Sequence, residues 1–91
     1  MTVNICGIPH EVIEKDDIFN ATELHFGQID FKKCEICIAK ESTHEVKHEA
    51  LCHEMLHGML IHLGFVEQSN DEHFVQALAN AINQSFDVKV R

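Results

Sequence analysis

The stretch Leu51-Cys52-His53-Glu54-Met55-Leu56-His57-Gly58 decides how this chain is read. Its apolar residues continue at Met59, Leu60 and Leu63, a spacing that predicts one helix. Ser42 or Thr43 can cap that helix, and Glu45 falls in its first turn, where a carboxylate complements the positive end of the helix dipole. Gly64 stands where a terminating glycine belongs. His53 and His57 are four residues apart, so they share one helix face, one turn from each other. Two imidazoles so placed can reach one metal ion, with Glu54 beside it to act on a bound water.

The same H-E-x-x-H pattern occurs upstream as His44-Glu45-Val46-Lys47-His48. Nine positions separate the copies, a turn of about 180° around a helix, so the two pairs are expected to face opposite ways. The upstream copy contains Lys47 and is surrounded by Glu41, Glu45 and Glu49, a solvated first turn, and His44 and His48 are read as surface residues. The downstream copy sits among Ala50, Leu51, Cys52, Met55, Leu56 and Met59, the uncharged packing that an organised metal site needs.

A catalytic zinc takes three protein ligands and keeps one open position. The extended pattern H-E-x-x-H-x-x-G-x-x-H would need Gly at 60 and His at 63, and both are Leu. His62 lies about 140° around the helix from His57, off the shared face. A carboxylate from the next helix is the alternative. Ser69-Asn70-Asp71-Glu72 reads as a capping box opening a second helix, with Phe74, Val75, Leu78, Ala81, Ile82 and Phe86 recurring at helical spacing. Glu72 aligns with Val75, Ala79 and Ile82 on its inward side. Asp71 is nearly as well placed, and His73 is an outside candidate.

The first half of the chain reads as strands. Val3 to Cys6 and His10 to Glu14 flank a turn at Gly7-Ile8-Pro9, and Leu24 to Asp30 and Cys34 to Ala39 flank a turn at Lys32-Lys33. Lys15 to Thr22 is charged and ambiguous. In the last strand Cys34, Ile36 and Ile38 share one face, and Glu35, Cys37 and Ala39 the other. The fold expected is α+β: a small antiparallel sheet of two N-terminal hairpins, then two antiparallel helices, as a single domain over residues 1–91.

Composition narrows the function. Fifteen acidic against seven basic residues give a net charge of −8, which argues against a nucleic-acid backbone as partner. A nuclease pattern of the H-G-x-L-H type begins at His57-Gly58, but its later spacings fail. No apolar run approaches the about 20 residues that span a bilayer, and Met1-Thr2-Val3-Asn4 is no signal peptide, so a cytoplasmic protein is expected. Cys6, Cys34, Cys37 and Cys52 are read as reduced, small buried hydrophobes. Eight histidines in 91 residues, six of them between His44 and His73, point to metal or proton chemistry in the second half.

Phe26 to Asp30 with Ile36-Cys37-Ile38, then Leu51 to Gly58, then Asp71-Glu72 with Leu78-Ala79, resembles the small HExxH proteins of bacteriophages and mobile elements, the ImmA/IrrE-like branch of zinc metallopeptidases. The resemblance covers roughly residues 24 to 86. It implies a minimal zincin of the gluzincin type, with His53, His57 and Glu72 as zinc ligands and Glu54 as general base. It also implies a regulatory, repressor-like protein as substrate. Zinc so held lowers the pKa of a bound water, and Glu54 takes its proton and passes it to the leaving amine. The strand Cys34 to Ala39 is expected to hold the peptide by strand addition. The developing oxyanion needs a further donor, and with no Tyr in the chain His25 or His73 are the candidates. The second function class is a non-catalytic, zinc-stabilised protein-binding module.

Overall fold

The computed structural model describes residues 1–16 and 26–91. Four strands, β1 (Thr2–Ile5), β2 (Ile8–Lys15), β3 (Gly27–Asp30) and β4 (Glu35–Ala39), precede three helices, α1 (His44–His62), α2 (Val66–Ser69) and α3 (Glu72–Ser85). The expected α+β class holds, and both hairpins are present, β1 with β2 and β3 with β4. The sheet is mixed rather than antiparallel throughout. Its order is β1-β2-β4-β3, and β2 pairs with β4 in parallel, from Glu11 opposite Glu35 to Lys15 opposite Ala39.

The first turn is two residues long and falls at Cys6-Gly7, not at Gly7-Ile8-Pro9. Both residues have positive φ, 50° and 82°, the conformation whose twist matches the flanking strands. Ile8 and Pro9 therefore belong to β2. Pro9 costs the sheet no ladder bond, because its nitrogen faces the β4 side and β4 begins only opposite Glu11. The second turn lies at Phe31–Cys34, where Asp30 Oδ1 accepts from the backbone N–H of Lys32 and Lys33, 3.0 Å each. β3 starts at Gly27, and the expected residues Leu24 and His25 lie outside the described residues, as does most of Lys15 to Thr22.

Thr43 caps α1, its Oγ1 accepting from Val46 N–H at 3.3 Å. The far end closes as a Schellman motif: Gly64 at φ 87°, its N–H on Ile61 O, and Phe65 N–H on Leu60 O. α1 lies between the sheet and α3, so it buries residues on two sides. Ala50, Leu51 and Met55 meet Val3, Ile5, Ile36 and Ile38 of the sheet, while Cys52 and Leu56 meet Val75 and Ala79 of α3. Each fully buried Leu or Met contributes roughly 1.5–3 kcal/mol. Phe74 and Phe86, expected on the inner stripe, are exposed; α3 ends at Ser85 and Phe86 is already extended. All four thiols are free, but only Cys37 and Cys52 are buried, while Cys6 is exposed in its turn and Cys34 is half-buried. Beyond α3 the chain returns to β1, where Val90 bridges Val3 and Arg91 N–H donates to Thr2 O at 2.8 Å. Among the described residues no helix is long and apolar enough to cross a membrane.

Candidate metal centre

Contacts between the long helices run in reverse register, His48 with Asn83, Cys52 with Ala79, His53 with Gln76 and His57 with Glu72. The helices are thus antiparallel, as expected, and α2 is the short turn between them. This arrangement brings the first turn of α3 onto the His53–His57 face. His53 Nε2 and His57 Nε2 lie 3.1 Å apart, Glu72 Oε2 is 3.1 Å from the first, and Glu72 Oε1 is 3.0 Å from the second. A tetrahedral zinc with bonds of about 2.0–2.1 Å separates its ligand atoms by about 3.3 Å; the two Nε2 atoms stand near that spacing, with one Glu72 oxygen close to each of them.

The hydrogen bonds behind the ligands set the histidine tautomers. Gln76 Nε2 donates to Glu49 Oε1 and to Asn80 Oδ1, which turns its Oε1 toward His53 Nδ1 at 2.7 Å. An amide oxygen only accepts, so His53 carries its proton on Nδ1. Ser69 Oγ donates to His57 O at 3.2 Å and is left to accept from His57 Nδ1, also at 3.2 Å. Both Nε2 atoms then present lone pairs to each other and to a carboxylate. With both rings neutral, three acceptors converge with no donor between them, an arrangement that a metal ion, or a proton on either Nε2, satisfies. Burial pushes the His57 imidazole below its ordinary pKa, against the opposing pull of Glu72, which keeps it in the neutral form that a metal needs.

Glu54 faces the other way, into the sheet. It is 8% exposed, and burial pushes its carboxyl up to about 7, with His53 lowering and Glu72 raising it. Gly27 makes the room for it, since a Cβ there would stand 3.2 Å from Glu54 Cγ. A cavity of about 280 Å³ reaches the site from the side of Phe26, Val46 and Glu49, and a trough of about 670 Å³ from the side of Phe31, Ile61 and Asn70. Both are lined by Gly27, His53, Glu54 and Glu72, so one groove passes along β3 over the candidate centre.

No match to this chain is found among protein-family models, curated proteins or solved structures.

His53, His57 and Glu72 therefore stand together on geometry, and among the described residues they are the group of metal-binding side chains that converges on one point. Asp71 does not join them. Its Oδ1 accepts from Phe74 N–H at 3.0 Å, so Asp71 and not Ser69 caps α3, and Glu72 is the first helical residue rather than the third. His73 is exposed and lines neither side of the groove, and His25 lies outside the described residues. Strand β4 has both edges paired, by β2 and β3, so it cannot accept a peptide; among the described residues β3 has the free edge beside the site. His48, read as a surface residue, is half-buried and bonded to Asn83. Sequence reasoning missed Ser69, Gln76 and Gly27. Gln76 follows Glu72 by four residues on the same helix face, which was its available signal. Gln76→Leu, which keeps the volume and removes the acceptor, is expected to weaken zinc binding by about 10–100-fold in a competition titration with a chromophoric chelator.

Proposed function

We propose that this chain is a zinc-dependent endopeptidase of the ImmA/IrrE-like kind, acting on a regulatory protein inside the cell. The observation that carries the reading is the meeting of two Nε2 atoms and a carboxylate 3.0–3.1 Å apart, with each imidazole anchored through its Nδ1. His53, His57 and Glu72 would hold the ion. Zinc supplies Lewis acidity and a water acidified toward neutrality when bound there. Glu54 borders the same groove, and a carboxyl poised near 7 can take a proton from water and return it to a leaving amine at neutral pH. The free edge of β3 offers main-chain hydrogen bonds to an extended peptide. Phe26 and Phe31, both exposed at the ends of β3, offer apolar contacts on either side of the scissile bond.

A zinc-stabilised binding module without catalysis is the second reading. It is favoured by the want of a side-chain oxyanion donor such as Tyr or His73 among the described residues, since the chain has no Tyr and His73 stands away from the groove. One experiment separates the two. The untagged protein is incubated with a quenched fluorescent library of random peptides, before and after zinc removal by a chelator and re-addition. The enzyme gives cleavage that the chelator abolishes and zinc restores. Tight zinc binding with no cleavage assigns the module, and no zinc binding overturns both.

A further inference from the structure

We infer that Glu49 is a positioning residue for the candidate metal centre, deciding which nitrogen of His53 carries the proton. The inference deepens the zinc reading, since it rests on His53 as a ligand through Nε2, and it does not require catalysis. Glu49 and His53 are one turn apart on α1, while Glu72, Gln76 and Asn80 stand at four-residue intervals on α3. A chain of contacts joins the two helices. Glu49 Oε1 meets Gln76 Nε2, Gln76 Oε1 meets His53 Nδ1 at 2.7 Å, and His53 Nε2 meets Glu72 Oε2 at 3.1 Å.

Between Glu49 and the metal position, each link can face either way. An amide has an oxygen that accepts and a nitrogen that donates, so Gln76 turned end for end would offer an N–H to His53 instead. His53 would then accept at Nδ1, carry its proton on Nε2 and have no lone pair for a metal. Asn80 does not prevent this. Its Oδ1 accepts from Gln76 Nε2 at 2.9 Å, but its own amide can turn together with that of Gln76. The Glu49 carboxylate is different, because when ionised it has no hydrogen to give. Turning Gln76 would set its Oε1 against Glu49 Oε1, two acceptors in contact with no proton between them. Glu49 therefore fixes the direction of the whole chain from two hydrogen bonds away. In the sequence it counts only among the acids around the upstream motif; its half-burial and its bond to α3 give it this other role.

The test reverses the polarity of that end and then restores it. Glu49→Lys exchanges an acceptor for a donor, which Gln76 meets with its Oε1. Long-range proton–nitrogen NMR of the metal-free protein at about pH 9, where an ordinary imidazole is neutral, reads the tautomer. Wild type is expected to carry the His53 proton on Nδ1 and Glu49→Lys to carry it on Nε2. Zinc affinity of the variant should fall by about 10–100-fold in a competition titration. Adding Gln76→Glu returns an acceptor to His53 Nδ1, since a carboxylate accepts from the lysine and the imidazole alike, and both tautomer and affinity should recover. Glu45→Lys makes the same charge change one turn earlier and should leave both close to wild type, which separates the tautomer from simple charge repulsion. An Nδ1 proton retained in Glu49→Lys, or a double variant that recovers neither property, overturns the inference. Failure of wild type to take up zinc would strike the metal reading instead, while the tautomer still decides the role of Glu49.

Discussion

At pH 8 the metal-free Glu54→Gln variant is expected to be more stable than the metal-free wild type by up to about 3 kcal/mol. The Glu54 carboxyl rises from 4.5 to about 7 on folding, chiefly through burial. Raised in the folded state, it contributes stability that is fully present below 4.5 and is lost as pH rises through about 7. Glutamine carries no charge at any pH and escapes that loss. The difference between variant and wild type should therefore grow between pH 5 and pH 8 and then level off. His57 titrates in the opposite sense, since its lowered pKa removes stability as pH falls, but it is common to both proteins and cancels in the difference. Urea unfolding in chelator at the two pH values checks this; a difference independent of pH would refute the burial of an ionisable carboxyl. The same variant should keep its zinc and lose cleavage by about 10³-fold, because a glutamine amide cannot take the proton from the attacking water. A variant at once more stable and inactive is the signature of a group retained for chemistry.

Glu72→Ala is expected to lower zinc affinity by about 10²–10³-fold, one ligand's share of a structural zinc site's binding free energy. Zinc content per chain by mass spectrometry, after dialysis against zinc-free buffer, measures it. Glu72 is largely exposed in side chain, so its loss leaves no cavity and the fold should persist. Undiminished zinc in the variant would remove Glu72 from the ligand set.

Much of this molecule was legible because the signals were local. Thr43 and Gly64 bound α1 as read, since a cap hydroxyl and a left-handed glycine act within a few residues. The juxtaposition of His53, His57 and Glu72 was legible for a related reason, being one helical turn plus one short helix–helix connection. The parallel pairing of β2 with β4 was not, because register between two hairpins is decided by how they pack under α1 and not by either turn. The cap of α3 was misread by two residues. Ser69, Asn70 and Asp71 are all good capping types, and only the burial of Ser69 beneath His57 removes it from that role. Lys47 of the upstream motif pairs with Glu14, 33 residues away in sequence, a contact no local pattern reports.

The return of the chain to β1 has a consequence for anything attached to it. Thr2 and Arg91 are joined by a backbone hydrogen bond on one border of the sheet, and β3 with its groove forms the opposite border. Three inter-strand steps, about 14 Å, separate the two borders. A tether, a tag or a neighbouring domain fused at either end would leave from the same point and face away from the groove mouth. Fusions at both ends at once would share that single anchorage, on the border of the sheet opposite β3.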